Sequence, residues 1–388
     1  MKRVTSQPSS PHAVAIATAL DLPALPRLGA EGELAHRVRA AWDSKTKPPG
    51  SLGRLEALAL QLALVQDCAR PRIERAEVRV FAGDHGVAAE GVSPYPQAVT
   101  AQMVANFLAG GAAISVLAKQ FDAALAVVDA GVASPLAAHP QLLDRKIASS
   151  TANFAHGPAM TDAQRDAALA AGVAIGRGLA PHTALVLGEM GIGNTTSAAA
   201  IMAALTGFAA ADCVGRGTGL DDAGVARKAA VVERALRANG LLSDGGGTGD
   251  APEGVTMAHG VVRRDRDMAL RVLSTVGGFE IAMMAGAMLG AASVRALVIV
   301  DGFIATSAAA VALAVDPALK PFLVFAHASA EAPHARWLQQ LGVEPLLSLG
   351  MRLGEGSGAA LALPLLRAAC ALLADMATFD SAGVSDRA

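Results

Sequence analysis

Five short apolar runs recur along the 388-residue chain, and each ends in a polar residue set among small ones. Residues 77–82 end in Gly83-Asp84-His85-Gly86, 125–128 in Asp129-Ala130-Gly131, and 183–187 in Gly188-Glu189. Residues 296–300 end in Asp301-Gly302-Phe303, and 322–325 in Ala326-His327-Ala328-Ser329. Short apolar runs of this length suit buried strands, the pattern of a parallel sheet. Helical sequence lies between them, so the expected fold class is α/β, with a doubly wound, mostly parallel, Rossmann-like sheet. Ligands of such sheets bind in the crevice outside the carboxyl ends of the strands. Each ending alone fits an ordinary strand–helix turn. All five carrying Asp, Glu or His favours one shared polar crevice.

The third run leads into the stretch that best combines binding and chemistry, Gly188-Glu189-Met190-Gly191-Ile192-Gly193-Asn194-Thr195-Thr196, with a helix expected over 197–205. Glycines let the backbone approach a ligand, and free N–H groups at a helix start attract an anion such as a phosphate. Glu189 would repel that anion and better suits a proton donor or an electron-poor group. A tight connection in which Asn194 or Thr195 is only an N-cap fits the same residues.

Elsewhere the pattern is uneven. A helix over 31–42 leads to Lys47-Pro48-Pro49-Gly50-Ser51, and a second helix runs over 52–68. Lys47 fits either a ligand contact or a solvated surface. The Gly91-Val92-Ser93-Pro94-Tyr95-Pro96-Gln97 loop precedes apolar helices at 99–108 and 112–119. Ser93, Tyr95 and Gln102 suit a flat hydrophobic slot or a rigid connector. A helix is expected at 161–179. A second glycine-rich loop, Gly215-Arg216-Gly217-Thr218-Gly219, opens a helix bearing Arg227 and Lys228. Lys228 is placed either for a phosphate or for solvent. Residues 243–254 read as loop. Near the end, Gly354-Glu355-Gly356 precedes an apolar helix at 359–373. Glycines on both sides would admit a planar ligand to the Glu355 carboxylate, although an acid at a helix start also favours the macrodipole.

Composition narrows the function classes. A net charge of −2 without a basic stripe argues against nucleic acid as a partner. Three scattered cysteines, Cys68, Cys213 and Cys370, fit a reducing cytoplasm. Apolar stretches such as 281–294 are too short to span a bilayer, and the first residues read as a loose tail rather than a signal peptide. With 53% hydrophobic and 17% charged residues, the chain has apolar surplus for a subunit interface, and the Ala/Gly-rich 281–292 helix is a candidate for it. A P-loop, G-x-G-x-x-G, His-Glu-x-x-His and G-x-S-x-G are all absent from the sequence. No cofactor and no metal are expected.

Eight ordered segments resemble one family closely. They are KPPGSLGRLE (47–56), GDHGVAAEGVSPYPQAVTAQM (83–103), GEMGIGNTTSAAA (188–200), GRGTGLDDAGVARK (215–228), GGFEIAMMAGA (277–287), VDGFIATSAA (300–309), HASAE (327–331) and LGMRLGEGSGAA (349–360). The family is nicotinate-nucleotide–dimethylbenzimidazole phosphoribosyltransferase, of cobalamin nucleotide-loop assembly. The resemblance implies transfer of ribose 5-phosphate from nicotinate mononucleotide to the base, giving α-ribazole 5′-phosphate. It places the phosphate at Gly191, Gly193, Asn194, Thr195 and Lys228, with Asp301, Gly302 and Ser329 around the nucleotide. It places the base against Ser93, Tyr95, Gln102, Met351 and Leu353, makes Glu355 the catalytic base and sets Glu189 beside it. It implies a sheet of six strands within a large α/β domain over 71–344. A small helical domain comes from both chain ends, 26–70 and 345–388, in a cytoplasmic homodimer. Residues 1–25 look like an extension and 243–260 like an insertion. Two rivals stay open: the same fold acting on another base, and a nucleotide sensor that keeps only the phosphate site. Glu355 between its glycines argues against the sensor.

Overall fold

The computed structural model describes residues 21–217, 219–242 and 265–385, so most of the expected extension and all of the expected insertion lie outside the described residues. Six strands form one all-parallel sheet: β1 (Arg75–Gly83), β2 (Ala124–Gly131), β3 (Leu142–Asp144), β4 (Thr183–Met190), β5 (Leu297–Val300) and β6 (Leu323–Phe325). Their spatial order is β3-β2-β1-β4-β5-β6. The chain winds outward from β1 to β3, returns to the middle, and winds the other way from β4 to β6. The order therefore reverses between β1 and β4, where Phe81 pairs with Glu189 and Ala82 with Met190. At such a reversal the connections leave in opposite directions and open a crevice at the carboxyl ends.

The expected strands match the sheet within a few residues, and one more strand joins them. The sixth strand, β3, is absent from the residue pattern because its three residues lie at the sheet edge and are at most half buried. Phe322 closes the 3₁₀ turn Pro317–Phe322, so β6 begins one residue later than expected. The central strands read clearly because helices cover both faces: in β4 every residue from Thr183 to Glu189 is buried.

The Ala/Gly-rich segment corrects another expectation. Helix Phe279–Ser293 is buried along its length within its own chain, apart from Ser293. It packs on helix Asp162–Arg177 through four glycines. A side chain on Gly172, Gly176, Gly286 or Gly290 would strike the opposing backbone at Met283, Ala287, Leu169 or Val173 respectively. Its small residues serve close packing inside the chain.

The two chain ends meet. Helices Glu33–Asp43, Arg54–Gln66 and Ser357–Asp375 pack together, and Lys45 bridges to Thr378. Lys47 is engaged here. Its Nζ lies 2.8 Å from Glu56 Oε1 and 5.4 Å from the Trp42 ring centroid. Two helical stretches, Ala98–Gln120 and Ser357–Asp375, are long and apolar enough to cross a bilayer by length and composition, against the expectation of none. The second packs on β4 and β5 as a core helix.

Candidate functional site

Four of the five polar strand endings converge. Asp84, after β1, accepts from Thr100 Oγ1 at 2.6 Å and from the Ala133 N–H at 2.8 Å. Thr100 in turn accepts from the Ile192 N–H at 3.1 Å, so Asp84 holds the glycine turn after β4 through one hydroxyl. Asp301, after β5, accepts from the Gly356 N–H at 3.2 Å and the Ala359 N–H at 2.8 Å. Both its oxygens thus anchor the turn that carries Glu355, and His327, after β6, approaches within 3.6 Å. Asp129, after β2, is occupied locally by the Val132 N–H and by Lys146.

The glycine turn is packed closely on β1. A side chain on Gly191 would strike the Gly83 carbonyl, and Gly193 caps helix Asn194–Thr206 at φ +100°, a left-handed conformation that favours glycine. Asn194 folds back and donates to Glu189 Oε2. Thr195 Oγ1 accepts from Lys228 Nζ at 2.6 Å. Lys228 is almost fully buried on helix Asp222–Ala238, and burial lowers its pKa to about 8 while the Glu331 carboxylate works the other way. Gly217 leans over the same point: a Cβ there would sit 3.3 Å from Lys228 Nζ and 3.1 Å from Thr195 Oγ1. A buried ammonium, a hydroxyl and a helix start therefore share one place.

Glu355 lies against the other side of this crevice. Gly354, Glu355 and Gly356 all take left-handed backbone, with φ of +83°, +65° and +91°. For glutamate that conformation costs roughly 1–2 kcal/mol, and such strain clusters at functional sites. The turn fits because Gly188 has no side chain where the Glu355 carbonyl passes and Gly354 none where Glu189 Oε1 sits. Ile114 donates its N–H to Glu355 Oε2 at 3.4 Å, tying helix Ala113–Gln120 to the turn. Burial raises the pKa of Glu355, and Asp301 adds to the rise. Glu189 is pushed up to about 8, by burial first and then by Asp301, Glu280 and Glu355. Burial and the neighbouring carboxylates together favour the protonated form of Glu189.

The segment 351–356 joins the two halves. Met351 accepts from the Ala330 N–H at 2.8 Å, and Arg352 Nη1 donates to the Gly217 carbonyl at 3.1 Å. Gly354 then passes Glu189. Ser329, next to Gly302, donates its N–H to His334 Nδ1 at 2.9 Å and accepts from the Glu331 N–H at 3.2 Å. Leu353 and Tyr95 are more than half exposed, and Gln102 is exposed on helix Ala98–Leu108. Ser93 Oγ accepts from the Tyr95 N–H, shaping their loop. Tyr95 and Leu353 leave apolar surface open.

Sequence reading missed several residues here. His85 Nε2 and Glu280 Oε1 pair at 2.6 Å with no solvent exposure, directly beneath Gly191 and Gly193. Thr100, Glu331 and Arg352 were missed as well. All five stand inside the quoted segments or beside a strand ending, but their partners lie up to 195 residues away. Among the described residues no group of three or more His, Cys, Asp or Glu is placed to hold a metal ion.

A family model described as phosphoribosyltransferase (DBI_PRT) matches residues 29–384. The chain belongs to this phosphoribosyltransferase family. The nicotinate-nucleotide–dimethylbenzimidazole phosphoribosyltransferase of Ralstonia nicotianae is 54% identical over 362 residues, 92% of this chain and 95% of the relative. The enzyme of that name from Cupriavidus necator is 53% identical over 350 residues, 90% and 94% of the two chains. Among solved structures of the family, CobT from Thermus thermophilus superposes with a TM-score of 0.81 at 44% identity, covering 92% of this chain and 100% of that one.

Proposed function

We propose that this enzyme transfers the 5-phosphoribosyl group of nicotinate mononucleotide to 5,6-dimethylbenzimidazole, releasing nicotinate and α-ribazole 5′-phosphate. The observation that carries the reading is the segment 351–356, which touches the buried-lysine loop through Arg352 and Glu189 through Gly354. It brings an anion anchor and a pair of carboxyl groups to one crevice. The 5′-phosphate sits at Gly191, Gly193, Thr195 and Lys228, and Gly302 and Ser329 border the ribose. The base lies in the slot of Ser93, Tyr95, Gln102, Met351 and Leu353.

In this reading the bare benzimidazole nitrogen attacks C1′ with inversion. The C1′–N bond to nicotinate breaks, and its electron pair neutralises the pyridinium ring. The leaving group departs without needing protonation or a Lewis acid. The attacking ring becomes cationic and its second nitrogen acidic, and Glu355 takes that proton. Its raised pKa makes it a stronger acceptor than an exposed glutamate. Asp301 and Asn194 act by position: the first fixes the Glu355 turn and the second fixes Glu189. Following nicotinate release from nicotinate mononucleotide, with and without added base, tests the reading. Release that ignores the base would overturn it.

The enzyme acts as a cytoplasmic homodimer on small molecules, with neither nucleic acid nor membrane as partner. Support comes from the −2 net charge, the apolar surplus, and the absence of disulfides at Cys68, Cys213 and Cys370. It comes also from exposed Tyr95, Val116, Leu349 and Leu353. Sedimentation at micromolar concentration should give twice the chain mass, and a monomer would refute the dimer. The ends 26–70 and 345–388 are read as one helical module closing over the 71–344 domain.

A further inference from the structure

We infer that Glu331 is a positioning residue for the phosphate anchor, holding the 215–217 loop over Lys228 and supplying the opposing charge that a buried ammonium requires. Glu331 caps helix Ala332–Leu341, and its direction is set by a rigid turn. Its N–H donates to Ser329 Oγ at 3.2 Å, and the Ser329 N–H donates to His334 Nδ1 at 2.9 Å. His334 Nε2 lies 3.0 Å from Thr306 Oγ1. Burial drops the His334 pKa to about 3, so this imidazole stays neutral and serves as a fixed strut. With Nδ1 accepting, Nε2 carries the hydrogen and donates to Thr306.

From that strut the Glu331 carboxylate crosses to the glycine loop. Oε2 accepts the Gly217 N–H at 3.3 Å and fills the space a side chain at Gly215 would need. Gly217 is the residue that leans on Lys228 and Thr195. Other charges nearby are committed elsewhere. Arg227 donates to the Gly91 carbonyl at 3.1 Å, Asp222 pairs with Arg216, and Asp212 lies 2.8 Å from Arg336. Arg352 donates to the Gly217 carbonyl, so the loop is gripped by a carboxylate at its N–H and a guanidinium at its C=O. Glu331 is the carboxylate whose charge favours protonated Lys228. A desolvated ammonium without such a charge tends to lose its proton, and with it the attraction for phosphate.

The role deepens the proposed transfer and rests on it for the identity of the substrate, but inorganic phosphate probes the anchor without any turnover. Two variants separate the functions of the carboxylate. Glu331→Gln keeps an acceptor for Gly217 and removes the charge; Glu331→Ala removes both. By calorimetry at pH 7.5, the dissociation constant for inorganic phosphate should rise about tenfold in Glu331→Gln and further in Glu331→Ala, the scale of a hydrogen bond to a charged group. In kinetics the KM for nicotinate mononucleotide should rise in step, while the KM for the base stays within twofold. Phosphate affinity within twofold of the unmodified enzyme in both variants overturns the inference, as does tighter binding, which would mean that Glu331 only repels the anion. Equal rises in both KM values also overturn it, since they report general loosening. If Glu331→Ala does not fold, the isosteric Gln variant still decides. An enzyme that binds phosphate yet never releases nicotinate would defeat the reaction reading alone, and the phosphate arm would still judge Glu331.

Discussion

Glu355→Gln should separate binding from turnover. The glutamate is buried, sits at φ +65° between two left-handed glycines, and meets the Ile114 N–H at 3.4 Å. Glutamine keeps the shape, meets the same backbone strain, and can accept from Ile114 through its amide oxygen. It cannot take the proton that appears on the attacking ring. A carboxylate bonded to that N–H is held more tightly as the ring becomes cationic, which is the condition for raising turnover. Positioned proton transfer contributes roughly 10²–10⁴ in rate, or about 3–5 kcal/mol of barrier at ~1.4 kcal/mol per decade. Loss of this size should appear in kcat, with the dissociation constants of both substrates nearly unchanged. The assay is initial-rate nicotinate release at saturating substrates, paired with calorimetry for the base. A variant within about threefold of the unmodified kcat would refute base catalysis by Glu355. Glu189, the other carboxyl group in contact with the Gly354 turn, would then be the next candidate. With its pKa raised to about 8, it would give a kcat that climbs as pH rises through 8.

Gly193→Asp should weaken nucleotide binding far more than base binding, because a carboxylate at the start of Asn194–Thr206 repels the phosphate and competes for its N–H donors. The position is also strained, with φ +100° and His85 Cβ 3.0 Å from a new Cβ, so Gly193→Ala is the control; equal loss of both affinities in the Asp variant would move the phosphate site elsewhere. Lys228 binds phosphate only when protonated, and burial lowers its pKa to about 8, so nucleotide kcat/KM should fall as pH rises through 8. A flat profile from pH 7 to 9 would contradict that role. Gly354→Ala places a Cβ on Glu189 Oε1 at φ +83°, whereas Gly350→Ala at φ +67° meets nothing within 4 Å. Both should lose roughly 1–2 kcal/mol in urea unfolding from backbone strain alone. Only Gly354→Ala should also lose most of its turnover, and equal activities would show that the Glu189 contact does not matter.

The central sheet was legible because β2, β4, β5 and β6 carry short apolar runs and β1 alternates Glu77 and Arg79 with apolar residues before its buried end. The edge strand β3 buries too little to leave such a run. The candidate site was legible where one segment contains its own reason, as in Gly354-Glu355-Gly356 or the 191–193 turn. It was illegible where the reason is a distant partner. Glu280 and Glu331 stand as single acids in their segments until His85 and the 215–217 loop are folded against them. Lys47 and the 281–292 helix erred in the opposite direction. Their patterns suggest surface contact, and the fold turns them inward onto Glu56 and onto Asp162–Arg177.

The most direct measurement is proton and phosphorus NMR of the enzyme with nicotinate mononucleotide and 5,6-dimethylbenzimidazole, without other additions. The expected result is one nicotinate released for each α-configured ribazole 5′-phosphate formed, with no product when the base is left out. Accumulation of ribose 5-phosphate in place of the riboside would make the protein a hydrolase. A β-configured product would contradict direct attack by the base with inversion at C1′.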